Sequence, residues 1–146
     1  MNSLPNEKWS LIHTGATAET TALTTSIVDM SGWDGVEFIA ITNSVTATCV
    51  LGLTVRQNTA NSTTGMAALA GSVTYTDVAT EASDKLMVLD LYKPVERYLD
   101  ANITRTTANA EIVSVLARQY QGRKGAVTQS TSHVITSAVS SSPAEA

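Results

Sequence analysis

Ala47-Thr48-Cys49-Val50-Leu51-Gly52-Leu53-Thr54-Val55 is the stretch whose reading decides the fold class. Its odd positions, Ala47, Cys49, Leu51, Leu53 and Val55, are all apolar, while the even ones, Thr48, Val50, Gly52 and Thr54, make a mostly small or hydroxylated face. A period of two puts those sets on opposite faces of a β-strand. Gly52 marks either a bulge or a close backbone approach. The same alternation recurs on both sides. Val36–Thr42 is apolar on both faces except at Glu37, as a central strand requires. Lys85–Tyr92 sets Met87, Leu89 and Leu91 against Leu86, Val88 and Asp90. Tyr98–Arg105 points Leu99, Ala101 and Ile103 inward and Asp100, Asn102 and Thr104 outward. Glu111–Gln121 is another long strand, and Trp9–Thr14, Thr20–Met30 and Ser72–Thr76 are shorter ones.

Turn chemistry separates these runs. Ser31-Gly32-Trp33-Asp34-Gly35 holds two glycines, Asn58–Gly65 is a polar loop, and Thr106-Thr107-Ala108-Asn109 reads as a short hairpin connection. Lys93-Pro94 stops a strand, because proline offers no N–H to a ladder. Met66–Ala70 reads as one helical turn. About eight strands joined by such loops predict an all-β protein, a β-sandwich of jelly-roll type with extended N- and C-terminal arms. Residues 1–8 read as an N-terminal arm, 9–121 as the sandwich domain, and 122–146 as a C-terminal tail, extended or partly disordered. Within that tail His133–Val139 keeps strand-like apolar content suited to pairing with a neighbour's sheet edge.

Composition narrows the function. The chain has 146 residues, 43% hydrophobic and 15% charged, with a net charge of −4. About a quarter of it is Ser or Thr. Acidic balance opposes a nucleic-acid or anionic-membrane surface. No apolar run is long enough for a membrane-spanning helix, and the first residues lack the pattern of a secretory leader. Cys49 is the single cysteine, so an internal disulfide framework is excluded. It alternates with Leu51 and Leu53 and reads as a buried thiol. His13 and His133 have no ligand-spaced partner, so no metal site is expected, and no cofactor-binding fingerprint occurs. Asp90, Glu96 and Asp100 are spaced to approach one another across neighbouring strands, as a carboxylate pair for glycoside cleavage requires. Each has Lys93, Arg97 or Arg105 nearby, and surface ion pairing accounts for them. No catalytic residue is assigned, and an enzyme is not expected.

Apolar side chains remain on the second strand faces: Ile39 and Ile41, Leu86 and Val88, Ile112 and Leu116. A sandwich of this size needs one inward face per strand. The surplus predicts contact with neighbours, in a homo-oligomer forming a closed ring such as a trimer.

Two segments carry a resemblance. Leu89-Asp90-Leu91-Tyr92-Lys93-Pro94 leads into Val95-Glu96-Arg97-Tyr98-Leu99, and Thr104-Arg105-Thr106-Thr107-Ala108-Asn109 leads into a last strand running toward Arg123. This order resembles small proteins of tailed bacteriophages encoded beside the major capsid protein, with a looser match through Trp33-Asp34-Gly35-Val36-Glu37-Phe38. The likeness covers about residues 30–125. It implies a head decoration, or cement, protein with a jelly-roll-type body, sitting as trimers on the outer surface of the virion capsid over junctions between capsomers of the major capsid protein. Arg97 and Tyr98 are the corner residues of that pattern. The arms match nothing specific in it. As partner-contacting candidates they offer Asn2, Leu4, Pro5 and Lys8 in the first and Arg123, Lys124, Val134 and Ile135 in the second. The alternative is a carbohydrate- or host-surface-binding sandwich of a head fibre, which requires an aromatic patch. One Phe, two Trp and four Tyr supply little material for it.

Overall fold

The computed structural model describes residues 6–122, 129–130 and 132–135. Two antiparallel sheets pack face to face. The first has the order β1 (Lys8–His13), β11 (Ala110–Tyr120), β5 (Gly35–Val45), β9 (Leu86–Tyr92), with β2 (Ala16–Glu19) also on β11. The second runs β3 (Leu23–Thr24), β10 (Tyr98–Thr106), β6 (Val50–Asn58), β7 (Ala67–Ala68); β4 (Val28–Asp29) also pairs with β10 and β8 (Val73–Thr76) with β6. The expected all-β sandwich is what the chain forms.

Alternation sets the core. Val36, Phe38 and Ala40 of β5 are fully buried, opposite Leu51, Leu53 and Val55 of β6 and Leu99, Ala101 and Ile103 of β10. Cys49 lies just before β6 and is also fully buried, and that burial raises its thiol pKa. Gly52 sits opposite Thr104 in an unbroken register, so there is no bulge. The reason for glycine is a close approach: a Cβ would collide with Thr104 Oγ1.

Several expectations need correction. β6 begins at Val50, not Ala47, because Cys49 N–H donates to Thr46 O across a turn with Thr48 at φ +73°. Thr20–Met30 is not one strand. Thr25 N–H bonds Ala101 O while Ser26 N–H bonds Ile12 O, so the segment bridges the sheets between β3 and β4. Met66–Ala70 forms no helical turn; Ala67 and Ala68 pair with Gln57 and Arg56. Thr106–Asn109 is not a hairpin, since it carries the chain from β10 in one sheet to β11 in the other. Eleven strands are present among the described residues, several of them only two residues long. Asp100 faces outward as expected yet is fully buried, with Arg56 bidentate on it at 2.8 and 2.6 Å. Ile112 belongs to the core rather than the second face. Ile112 pairs with Thr42 but Ser114 with Ile41, and the extra residue at Val113 reverses the parity of β11. His133 and Val134 N–H both bond Ser130 O in a turn, so the strand-like run does not begin as a strand.

Candidate functional site

The two outer faces differ in chemistry. On the second sheet the outward positions are Thr54, Thr104, Asn102 and Thr24, with the Arg56–Asp100 pair beside them. That face carries hydroxyls and amides. The first sheet is different. Register places Leu11 beside Leu116, Leu116 beside Ile39, and Ile39 beside Val88, one apolar row across all four strands. A second row continues it through Ile41 and Leu86. Leu86 is 61% exposed and Val88 45%; the others are half-buried. Cross-strand neighbours of this kind make a continuous patch rather than scattered apolar residues.

A charged and aromatic cluster borders the patch. Trp9, Arg118, Glu37 and Asp90 form the adjacent row. Arg118 donates to Glu37 Oε2 and Glu7 Oε1, both at 2.6 Å, and its guanidinium lies 5.8 Å from the Trp9 ring and 5.7 Å from the Tyr120 ring. Those two carboxylates hold its proton far more tightly than usual. Tyr120 crosses over Gly35, where a Cβ on any larger residue would strike the ring. The Tyr120 hydroxyl donates to Asp90 Oδ1 at 2.6 Å. Burial first, and then the bond to Asp90, push its pKa up to about 12. A raised phenol pKa adds stability that is complete below the unfolded value near 10 and lost as pH climbs through 12. A near-ultraviolet titration should therefore show one tyrosine ionising at about pH 12, and Tyr120→Phe should remove that step; an unchanged curve would contradict the Asp90 contact.

Beside the patch lies an open cleft of about 870 Å³ between β8 of one sheet and β9 of the other. Leu51, Val73, Tyr75, Leu86, Met87 and Val88 supply its apolar lining. β9 pairs only with β5 and ends its sheet, leaving its other edge without a strand among the described residues. At the opposite end of that sheet β1 is treated differently. Gln129 accepts from Trp9 N–H at 3.0 Å and donates to Glu7 O at 2.6 Å, so the tail covers that edge.

The sequence-derived candidates fall in three places. Asn2, Leu4, Pro5, Arg123 and Lys124 lie outside the described residues. Lys8 opens β1, and both it and Arg97 bear on Asp29, which Arg97 grips at 2.8 Å through two nitrogens. Arg97 first, and Lys8 more weakly, lower the Asp29 carboxyl. The Arg97 guanidinium also stacks 5.0 Å from the Tyr98 ring, and Arg97 O accepts from Met30 N–H. This builds the corner between two loops. Val134 is half-buried and Ile135 is 95% exposed in the turn after Gln129. The carboxylates weighed for hydrolysis are not brought together: Asp90 faces out from the first sheet and Asp100 from the second. Among the described residues no group of three His, Cys, Asp or Glu side chains converges to hold a metal ion. Sequence reading missed Trp9, Arg118 and Tyr120. The two-residue spacing of Arg118 and Tyr120 marked a shared face, but only the register brought Trp9 and Glu37 to them.

No family model matches the chain, and neither does any curated protein. Among solved structures, the PBSX exported protein XepA aligns with all of this chain at a TM-score of 0.54 and 14% identity. The chain spans 44% of that protein's length. The Eiger TNF from S. frugiperda aligns with 80% of the chain and 94% of its own, at a TM-score of 0.42 and 8% identity. The likeness to XepA is one of fold: a two-sheet β-sandwich.

Proposed function

We propose that this chain is a non-enzymatic capsid decoration, or cement, protein of a tailed phage. It binds the outer face of the head and stabilises contacts between capsomers of the major capsid protein. The observation that carries this reading is the asymmetry of the sandwich: a hydroxyl-rich outer face on one sheet, and on the other the continuous row Leu11, Leu116, Ile39 and Val88. A protein lying on a particle needs one face for water and one for its support. The fold shared with the phage PBSX exported protein and the corner formed by Arg97 and Tyr98 agree with it. The apolar row supplies affinity by burial, and repetition over a symmetric shell multiplies it. Binding only the assembled shell stabilises that state by mass action. The partners are then the major capsid protein and copies of the chain itself in a trimeric ring, with no nucleic acid and no membrane.

Co-sedimentation with capsids free of this protein tests the reading. Wild type should pellet saturably. Ile39→Asp with Leu116→Asp should bind roughly thirtyfold more weakly or worse, the scale of two interface side chains each worth over 1 kcal/mol, while an unchanged unfolding curve shows the sandwich intact. Wild type remaining in the supernatant at saturating capsid would overturn it. Trp9, Tyr120 and Tyr92, the last 53% exposed, favour a second reading as a host-surface or carbohydrate-binding module of a head fibre. In that case Trp9→Ala and Tyr92→Ala should abolish binding to host cell-surface glycans.

A further inference from the structure

One glutamine closes the β1 end of the first sheet, and it does so in the manner of a strand. The Gln129 side chain donates through Nε2 to Glu7 O at 2.6 Å and accepts through Oε1 from Trp9 N–H at 3.0 Å. Those two backbone groups belong to the residues on either side of Lys8. A parallel strand grips an edge in the same pattern. One of its residues donates to the carbonyl before a given position and accepts from the N–H after it. A primary amide carries that donor and that acceptor together, so it can stand in for such a residue. Gln129 is only 9% exposed, which keeps water from competing freely for these bonds. Glu7 is held a second time, because its carboxylate accepts from Arg118 at 2.6 Å.

The strand covered in this way is one prone to pairing. Among the described residues β1 pairs only with β11 and ends its sheet. Its sequence, Lys8-Trp9-Ser10-Leu11-Ile12-His13, has Trp, Leu and Ile, no proline and no carboxylate. Bare edges of that composition pair with other chains. The partner always at hand is another copy, and two β1 edges laid antiparallel about a two-fold axis satisfy each other with the same groups. We propose that Gln129 is a built-in edge plug: its amide takes the strand-pairing groups of β1 and keeps a second copy of the chain from adding there. The contact is autoinhibitory, and it works by hydrogen bonding rather than by bulk. It concerns the edge of the sheet and not its outer face, so it stands apart from the capsid-binding reading.

The test uses the full chain with Gln129→Leu and, separately, Gln129→Met, both close to glutamine in size and neither able to form the two bonds. Amide exchange at low protein concentration gives the first readout. Trp9 N–H should exchange about tenfold faster than in wild type, the scale of one lost hydrogen bond, while the amides of β5 and β10 keep their protection. Sedimentation over rising concentration gives the second. Each variant should form a species of at least twice the wild-type mass, and Trp9 N–H should slow again as that species fills. An unchanged Trp9 rate in both variants would overturn the proposal, since the edge would then not depend on the amide. Faster exchange with no gain in mass would also overturn it, because the amide would then hold back no second copy. A heavier species in which Trp9 N–H stays fast would place the contact elsewhere and overturn it too. Capsid co-sedimentation of wild type reports on the outer face whichever way this falls.

Discussion

Arg105→Leu is expected to destabilise the protein by about 3–5 kcal/mol, the range for breaking a buried charged network from one side. Arg105 is 1% exposed, the largest fully buried side chain among the described residues. Its guanidinium donates to Thr21 O through two nitrogens at 2.9 and 2.6 Å, to Thr17 O at 2.8 Å, to Ala110 O at 2.7 Å and to Glu19 Oε1 at 3.0 Å. Removing it takes a charged donor from each of these acceptors, a loss of about 1–3 kcal/mol for any that stays buried without a partner. It also frees the segment from Thr17 to Thr21 from its tie to β10. Lysine does not substitute, because one compact ammonium cannot span four acceptors in a plane. Urea unfolding at constant slope measures the loss, and faster amide exchange in residues 16–22 locates it. A variant within 1 kcal/mol of wild type would refute this account of Arg105.

Arg56→Ala should rank second, at about 3–4 kcal/mol, since it leaves the Asp100 carboxylate fully buried with its bidentate partner gone. The reverse truncation, Asp100→Ala, is expected to cost less. The Arg56 side chain is 26% exposed and its freed head can turn to water, whereas Asp100 has no such escape. The pair replaced together, Arg56→Met with Asp100→Leu, should cost less than the two single changes summed, because neither charge is then left alone. Equal costs for the two single changes would show that burial does not separate the partners' roles.

Much of this arrangement was legible in the chain and some was not. Alternation along Val36–Thr42, Lys85–Tyr92 and Tyr98–Arg105 assigned the correct faces because these strands pair without interruption. It failed at Ile112, where a single extra residue reverses the side-chain parity, and nothing in Glu111-Ile112-Val113-Ser114 marks that bulge. Ala67–Ala68 was misjudged because alanine's helix preference was outweighed by pairing with the edge of β6. The outer apolar row was half visible: Ile39, Leu86, Val88 and Leu116 stood out as surplus, but their alignment with Leu11 depends on register, a tertiary property. In sequence, Arg105 reads as one of the cations giving Asp90, Glu96 and Asp100 surface ion pairs. Asp100 is held by Arg56 instead, and Arg105 is buried, bonding Thr17, Thr21, Ala110 and Glu19. Its burial depends on a loop eighty-odd residues earlier in the chain, at Thr17 to Thr21.

The misread hairpin at Thr106–Asn109 carries a consequence for how the molecule comes into being. The links from β4 to β5, β5 to β6, β8 to β9, β9 to β10 and β10 to β11 each leave one sheet for the other, whereas the link from β6 to β7 stays within its sheet. Among the described residues only β6 pairs with the strands that directly follow it, β7 and β8, so the other partners must find each other across large loops before either layer is completed. Such wiring places the chain among the slow, millisecond-to-second folders. It also means that a nascent copy exposes both unfinished layers at once, in a cell already crowded with its siblings.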